Sequence, residues 1–123
     1  MRLVDTSAFI EWLTGSSTGE SVVPHLPRRE EWLVPTIVQL ELSKWLTREA
    51  GEDKADQVIA FTQMCVVAAL NTETALSAAE ISRTHNLATA DAIVYATAQH
   101  CSAELLTFDA HFAKLPAVTY LAK

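Results

Sequence analysis

Several residue types are scarce in this sequence, and each shortage narrows the class of protein. The only two cysteines, Cys65 and Cys101, lack the spacing of a zinc site, so we predict free thiols in a cytoplasmic protein. Three glycines and four prolines in 123 residues argue against long loops and disorder. No apolar run is long enough to cross a bilayer, and Asp5 and Glu11 interrupt the start where a secretory signal needs apolar residues. The length suits a single domain over residues 1–123.

Basic residues are also scarce, and this limits the anionic ligands that the surface can bind. The chain has 9 Lys and Arg against 15 Asp and Glu, a net charge of −6 and a pI near 5.1. That is the wrong sign for a broad basic face that binds nucleic acid. If the acids converge on one cation site, two Mg²⁺ ions add four positive charges and leave a charge near −2. The cations then available for phosphates are Arg28, Arg29, Lys44, Arg48, Lys54 and Arg83.

Short apolar segments alternate with helical segments along the chain. We predict strands at residues 2–4, 32–34, 65–70, 104–107 and 118–121. Between them we predict helices at about residues 36–50, 53–64, 72–84 and 90–100, a first helix that ends at the 15–19 break, and a short helix within 20–29. The predicted N-terminal caps are Thr6 or Ser7, Thr36, Asn71 or Thr72, and Thr89. This alternation predicts a parallel sheet covered on both faces.

Two carboxylates stand where such a sheet ends. Asp5 follows the first predicted strand and Asp109 follows the fourth, and ligands of open α/β sheets bind beyond the carboxyl ends of the strands. Asp91 lies in the first turn of a predicted helix. Taken singly, these residues are better explained as a helix cap, a turn former and a partner of the helix dipole.

Glu41 is more informative, because it lies within the apolar arc of its own helix. At about 100° per residue it falls between Ile37 and Trp45 on the helical wheel. An acid that faces a core is costly unless it is paired or binds a metal. A partly exposed Glu41 paired with Arg48 is an equally good explanation at this point.

Together the four acids suggest a cation site. The histidines show no zinc spacing, so no Cys/His set competes with the carboxylates; they are His25, His85, His100 and His111. An all-carboxylate site selects hard cations such as Mg²⁺ or Mn²⁺.

Four segments resemble the motifs of PIN-domain ribonucleases, most closely the VapC-type toxins of toxin–antitoxin pairs. They are residues 4–8 (VDTSA), 35–42 (PTIVQLEL), 90–98 (ADAIVYATA) and 106–112 (LTFDAHF), in order along nearly the whole chain. The resemblance implies a three-layer α/β/α sandwich with a parallel sheet of four or five strands. It also implies a Mg²⁺- or Mn²⁺-dependent endoribonuclease that cuts structured RNA, is usually dimeric and is inhibited by a cognate antitoxin.

By the same resemblance, an acidic quartet of catalytic and metal-binding residues corresponds to Asp5, Glu41, Asp91 and Asp109. Glu41 would act directly or through water, and Thr6 and Thr107 match hydroxyl positions near the metal. Ser7 is a possible nucleophile, but no histidine is near it in sequence, so a capping role is preferred.

Other classes share parts of this pattern. A flap-type DNA nuclease would use the same site on another substrate. A phosphatase with an aspartyl nucleophile would need a second Asp where Ser7 stands, and a receiver domain would need a lysine on the strand that ends at Thr107. A non-catalytic module that binds through the acidic cluster is the remaining alternative.

Overall fold

A computed structural model describes all residues from 1 to 123 and has a parallel five-stranded sheet at its centre. The strand order is β3-β2-β1-β4-β5. The strands are β1 (Arg2–Val4), β2 (Trp32–Pro35), β3 (Val66–Ala68), β4 (Glu104–Thr107) and β5 (Val118–Tyr120). The helices are α1 (Thr6–Thr14), α2 (Ser17–Glu20), α3 (Thr36–Ala50), α4 (Glu52–Gln63), α5 (Thr72–His85) and α6 (Thr89–His100). The predicted α/β/α architecture is therefore confirmed.

The direction of winding reverses at the centre of the sheet. From β1 the chain moves outward through β2 to β3, then crosses back through α5 and α6 to β4, on the other side of β1. Right-handed crossovers place α1 to α4 on one face of the sheet and α5 and α6 on the other. The segments that leave β1 and β4 therefore diverge beyond the carboxyl ends of these two neighbouring strands, which is where open α/β sheets bind their ligands.

The core explains why these short strands are stable. Leu3, Val4, Leu33, Leu105 and Leu106 are fully buried in the central strands, as expected for a parallel sheet covered on both faces. On one face an aromatic cluster packs with ring centroids 5.2–6.1 Å apart; its members are Phe9, Trp12, Trp32 and Phe61.

Three of the predicted helix caps are wrong. Thr36 and Thr89 lie inside the first turns of α3 and α6, and Thr6 and Ser7 lie inside α1. The preceding residues take the cap positions without any side-chain hydrogen bond: Asp5, Pro35 and Ala88. The hydroxyls of Thr6 and Ser7 are instead engaged by carboxylates. The cap at Asn71 is confirmed, since its side chain accepts a hydrogen bond from the Thr74 N–H at 2.9 Å.

Residues 15–31 also differ from the prediction. Gly15 ends α1 in the left-handed region at φ 68°, but the short helix expected within 20–29 is absent. Helix α2 begins earlier, and two 3₁₀ turns follow at Val23–His25 and Arg29–Glu31. Pro24 and Pro27 explain the difference, because proline lacks the N–H that continues an α-helix.

The edge strand β3 is shorter than predicted, three residues instead of six. None of the helices is both long enough and apolar enough to span a membrane.

Candidate active site

Asp5 is the buried acid at the carboxyl ends of β1 and β4. Its backbone N–H donates to the Leu106 carbonyl at 2.9 Å, which continues the pairing of β1 with β4 by one residue. Its carboxylate oxygen Oδ2 accepts hydrogen bonds from the Ser7 and Thr107 hydroxyls, each at 2.8 Å. The residue is 6% exposed. Asp5 is therefore held in one orientation by the ends of two strands.

Two hydroxyls connect the end of β1 with the end of β4. Ser7 Oγ accepts from the Phe108 N–H at 3.1 Å and lies 3.2 Å from Thr107 Oγ1. Thr107 Oγ1 accepts from the Asp109 N–H at 2.9 Å. The preferred role of Ser7 as a helix cap is therefore wrong, because its hydroxyl points to Asp5 and β4. Its position two residues after Asp5, at the start of a helix, was the signal in the sequence.

Glu41 approaches the same region from α3. It is half-buried and accepts a hydrogen bond from the Thr6 hydroxyl at 2.6 Å. The alternative pairing with Arg48 is wrong, because the Arg48 guanidinium bonds to the adjacent Glu49 at 3.0 Å. Thr6 follows Asp5 directly, so its hydroxyl links the side chain of Glu41 to the end of β1.

Asp91 and Asp109 form the outer part of the site with a residue that the sequence analysis did not select. His111 Nδ1 lies 3.0 Å from Asp109 Oδ1 and 3.8 Å from Asp91 Oδ2. Asp109 Oδ1 also accepts from the His111 backbone N–H at 2.9 Å. One ligand-capable atom from each of these three residues lies within 4.8 Å of the others. Sequence spacing did not reveal this group, because Asp91 comes from a distant helix.

Burial and mutual repulsion perturb the inner carboxylates. Burial raises the pKa of Asp5 to about 6, assisted by the negative charges of Glu41 and Asp91 and opposed by the Ser7 and Thr107 hydrogen bonds. Burial also raises the pKa of Asp91, with a further contribution from Asp109. The charges of Glu41, Asp91 and Asp109 therefore act on the two carboxylates whose pKa values are raised, Asp5 and Asp91.

The residues fit a divalent cation. Carboxylate oxygens are the ligands that Mg²⁺ and Mn²⁺ prefer, and a cation would offset both the burial and the repulsion that raise the Asp5 and Asp91 pKa values. The 4.8 Å spread of donor atoms from Asp91, Asp109 and His111 suits ligands around one ion.

The surface cations are only partly free. Arg28 pairs with Glu30 and Glu31, and Arg48 pairs with Glu49. These are exposed pairs of small energy, so they could exchange for phosphates. Four of the basic residues that were proposed to contact phosphates make no ion pair: Arg29, Lys44, Lys54 and Arg83.

Comparison with known proteins identifies the family. The PIN-domain family model matches residues 2–118, so this chain belongs to the PIN-domain family. No curated protein sequence matches the chain significantly.

Solved structures share the fold at low identity. A toxin–antitoxin complex from Klebsiella pneumoniae is similar with a TM-score of 0.82 and 21% identity, covering 97% of this chain and 96% of that one. VapC20 from Mycobacterium tuberculosis, described as a sarcin-ricin loop cleaving toxin, has a TM-score of 0.77 and 18% identity over 96% and 97%. FitAcB from Neisseria gonorrhoeae has a TM-score of 0.75 and 22% identity over 96% of both chains.

Proposed function

We propose that this protein is a metal-dependent endoribonuclease and the toxin of a type II toxin–antitoxin pair. The carrying observation is the arrangement of Asp5, Glu41, Asp91 and Asp109 beyond the carboxyl ends of β1 and β4, with the pKa of buried Asp5 raised to about 6. Acids that repel one another lower the stability of the folded protein. Groups that lower stability in this way are typical of functional sites.

The proposed roles follow from the contacts of each residue. Asp5 would hold a Mg²⁺ or Mn²⁺ ion, because Ser7 and Thr107 already fix its orientation through one oxygen. Asp91 and Asp109 would hold the ion from the outer side, and Glu41, positioned by Thr6, would act directly or through water. When bound, the ion lowers the pKa of water and offsets charge that develops on a phosphodiester.

The protein's own part in the chemistry is orientation and proton transfer. A carboxylate whose pKa is raised toward neutrality is a better proton acceptor for an attacking water than an ordinary aspartate. Asp5 and Asp91 both have raised pKa values. Asp5 is fixed by two hydrogen bonds, whereas Asp91 is more exposed, so Asp91 is the better placed of the two to exchange protons with water.

The test is cleavage of a total bacterial RNA pool by purified protein with Mg²⁺ or Mn²⁺, and with excess chelator. We expect specific cuts with metal, none with chelator, and none from Asp5→Asn. Asp56→Asn, an exposed change on α4, is the matched control and should cut as the parent does. Cleavage that persists in excess chelator would contradict the metal mechanism.

A DNA nuclease that uses the same site is the second candidate, since a metal held by these acids would act on the phosphodiester and would not distinguish the sugar. Single-stranded, duplex and flap DNA belong in the same assay. Cleavage of DNA without cleavage of RNA would favour this alternative, and metal binding without any cleavage would favour a binding module.

The partner of the toxin would be a cognate antitoxin. Similar structures include a toxin–antitoxin complex from Klebsiella pneumoniae and DNA-bound VapBC from Salmonella typhimurium, and these support the proposal. Half-buried Trp12, at the edge of the aromatic cluster, is the better anchor for such a partner, because Trp32 is only 3% exposed. We further propose that the partner places an Arg or Lys against the acids. Co-expression with the neighbouring gene product should yield a complex that Trp12→Ala weakens.

Three further parts of the proposal concern the domain, the oligomeric state and the cellular location. The match over residues 2–118 supports one PIN-like domain across the chain. The homodimer and the cytoplasmic location stay predictions. Light scattering at several concentrations tests the homodimer, and a dimer mass that survives dilution is the expected result.

A further inference from the structure

His111 brings a side-chain nitrogen to the edge of the acidic site. Its Nδ1 lies 3.0 Å from Asp109 Oδ1 and 3.8 Å from Asp91 Oδ2, although Asp91 comes from the start of α6. The backbone N–H of His111 also donates to Asp109, which anchors the residue at the start of the 3₁₀ turn Ala110–Phe112. The imidazole is therefore brought to both carboxylates by the backbone.

No other hydrogen bond or ion pair of the His111 side chain explains this position. The His111 side chain is 75% exposed and packs in no core cluster. An exposed side chain can rotate at little energetic cost, so a small rotation would bring Nδ1 onto a cation that the two carboxylates also contact. The present separations, all within 4.8 Å, are compatible with three ligands on one face of an ion.

We propose that His111 is a direct nitrogen ligand of the metal, together with Asp91 and Asp109, and that it makes the site prefer Mn²⁺ to Mg²⁺. This inference rests on the proposed function. Mg²⁺ is a hard ion that favours oxygen donors, whereas imidazole nitrogen suits transition metals increasingly along the series that begins with Mn²⁺. A site with only carboxylates would have a much smaller preference.

The competing explanation assigns His111 no metal contact. In that case its ring only donates a hydrogen bond to Asp109, and removing it changes the charge near the site equally for every divalent ion. The two explanations differ in the nitrogen signal and in the ratio of affinities, neither of which requires RNA cleavage.

The first measurement uses Mn²⁺ alone with the full-length parent protein. Pulsed electron paramagnetic resonance of bound Mn²⁺ detects a coordinated imidazole nitrogen as a modulation of the spin echo. We expect this modulation in the parent, its loss in His111→Ala, and its retention in His25→Ala. His25 is the matched control, because it lies beside Arg2 at the opposite end of β1.

The second measurement titrates Mn²⁺ and Mg²⁺ by calorimetry. Loss of one ligand should lower Mn²⁺ affinity about tenfold and Mg²⁺ affinity about threefold or less. His111→Asp replaces the nitrogen with an oxygen donor, so it should restore Mg²⁺ binding without restoring the preference for Mn²⁺ or the nitrogen modulation. Because residue 111 is exposed, we expect the parent protein, His111→Ala and His111→Asp all to fold.

The outcomes separate this inference from the broader proposal. Mn²⁺ binding and RNA cleavage without nitrogen modulation, or equal affinity losses for both ions in His111→Ala, would overturn only the role of His111. If neither ion binds the parent protein at all, the proposed metal-dependent function is contradicted as well.

Discussion

Replacing Asp5 by Asn should stabilise the metal-free protein at neutral pH while abolishing activity. A pKa difference of one corresponds to about 1.4 kcal/mol. Raising the Asp5 pKa from 3.8 to about 6 therefore disfavours the ionised, folded protein by about 3 kcal/mol at pH 7. Asn removes the charge, and its carbonyl oxygen can still accept the hydrogen bonds of Ser7 and Thr107. Because those bonds weaken without the charge, we expect a net gain of about 2 kcal/mol.

The pH dependence of this gain has a definite sign. The folded pKa of Asp5 is raised, so its penalty is complete above about pH 6 and fades as pH falls toward 3.8. Below that value the parent carboxyl is protonated whether the chain is folded or unfolded, and Asn then confers no advantage. The difference in stability between the two proteins should therefore stay nearly constant from pH 7 to about pH 6 and shrink from there to pH 4.

The assay is thermal unfolding followed by circular dichroism, in chelator and then with excess Mg²⁺. In chelator at pH 7 the variant should melt about 6–10 °C higher than the parent. Added Mg²⁺ should stabilise the parent by mass action and the variant much less. The exposed Asp56→Asn change should leave both properties unaltered. A variant that melts lower than the parent in chelator and gains equally from Mg²⁺ would refute the assignment of Asp5 to a strained cation site.

Three further predictions test other parts of the structure. Asp91→Asn should raise the metal-free melting temperature at pH 7, because burial and the charge of Asp109 also raise the Asp91 pKa; a simple partner of the helix dipole would instead lose a few tenths of a kcal/mol of stability in the same assay. Thr107→Val should cost about 1–3 kcal/mol in urea unfolding, since it leaves the Asp109 N–H without its acceptor, and Thr107→Ser should recover most of the loss. Gly19→Ala should destabilise by about 3 kcal/mol, because a Cβ there would overlap the backbone carbonyl of Glu11; an unchanged melting temperature would contradict the packing of α1 against α2.

Several local features could be predicted because they depend on neighbouring residues alone. The apolar runs at β2 and β4 are bounded by Pro35 and Asp109, and the structure places both strands within a residue of the predicted ends. Asn71 caps α5 as expected, because its side chain reaches an N–H three residues ahead.

The capping errors have a different origin. Thr6, Ser7, Thr36 and Thr89 are all good cap residues by local chemistry, yet each lies within its helix. Thr6 and Ser7 find carboxylate acceptors that the fold supplies from α3 and the end of β1. A charged acceptor outweighs a local backbone donor. For Thr6 that acceptor is Glu41 of α3, which is distant in sequence, so local propensity could not reveal it.

By itself the sequence determined the alternation of strands and helices and the family motifs around Asp5, Glu41, Asp91 and Asp109, because those depend on local periodicity and residue order. Only the tertiary structure decided what these residues contact. In the folded chain the Ser7 hydroxyl contacts that of Thr107, and Glu41 bonds to Thr6 and not to Arg48. His111 lies beside Asp91, which is 20 residues away in sequence. The physical reason is that the strand order 3-2-1-4-5 places distant chain segments side by side, and burial then sets the charge on each acid.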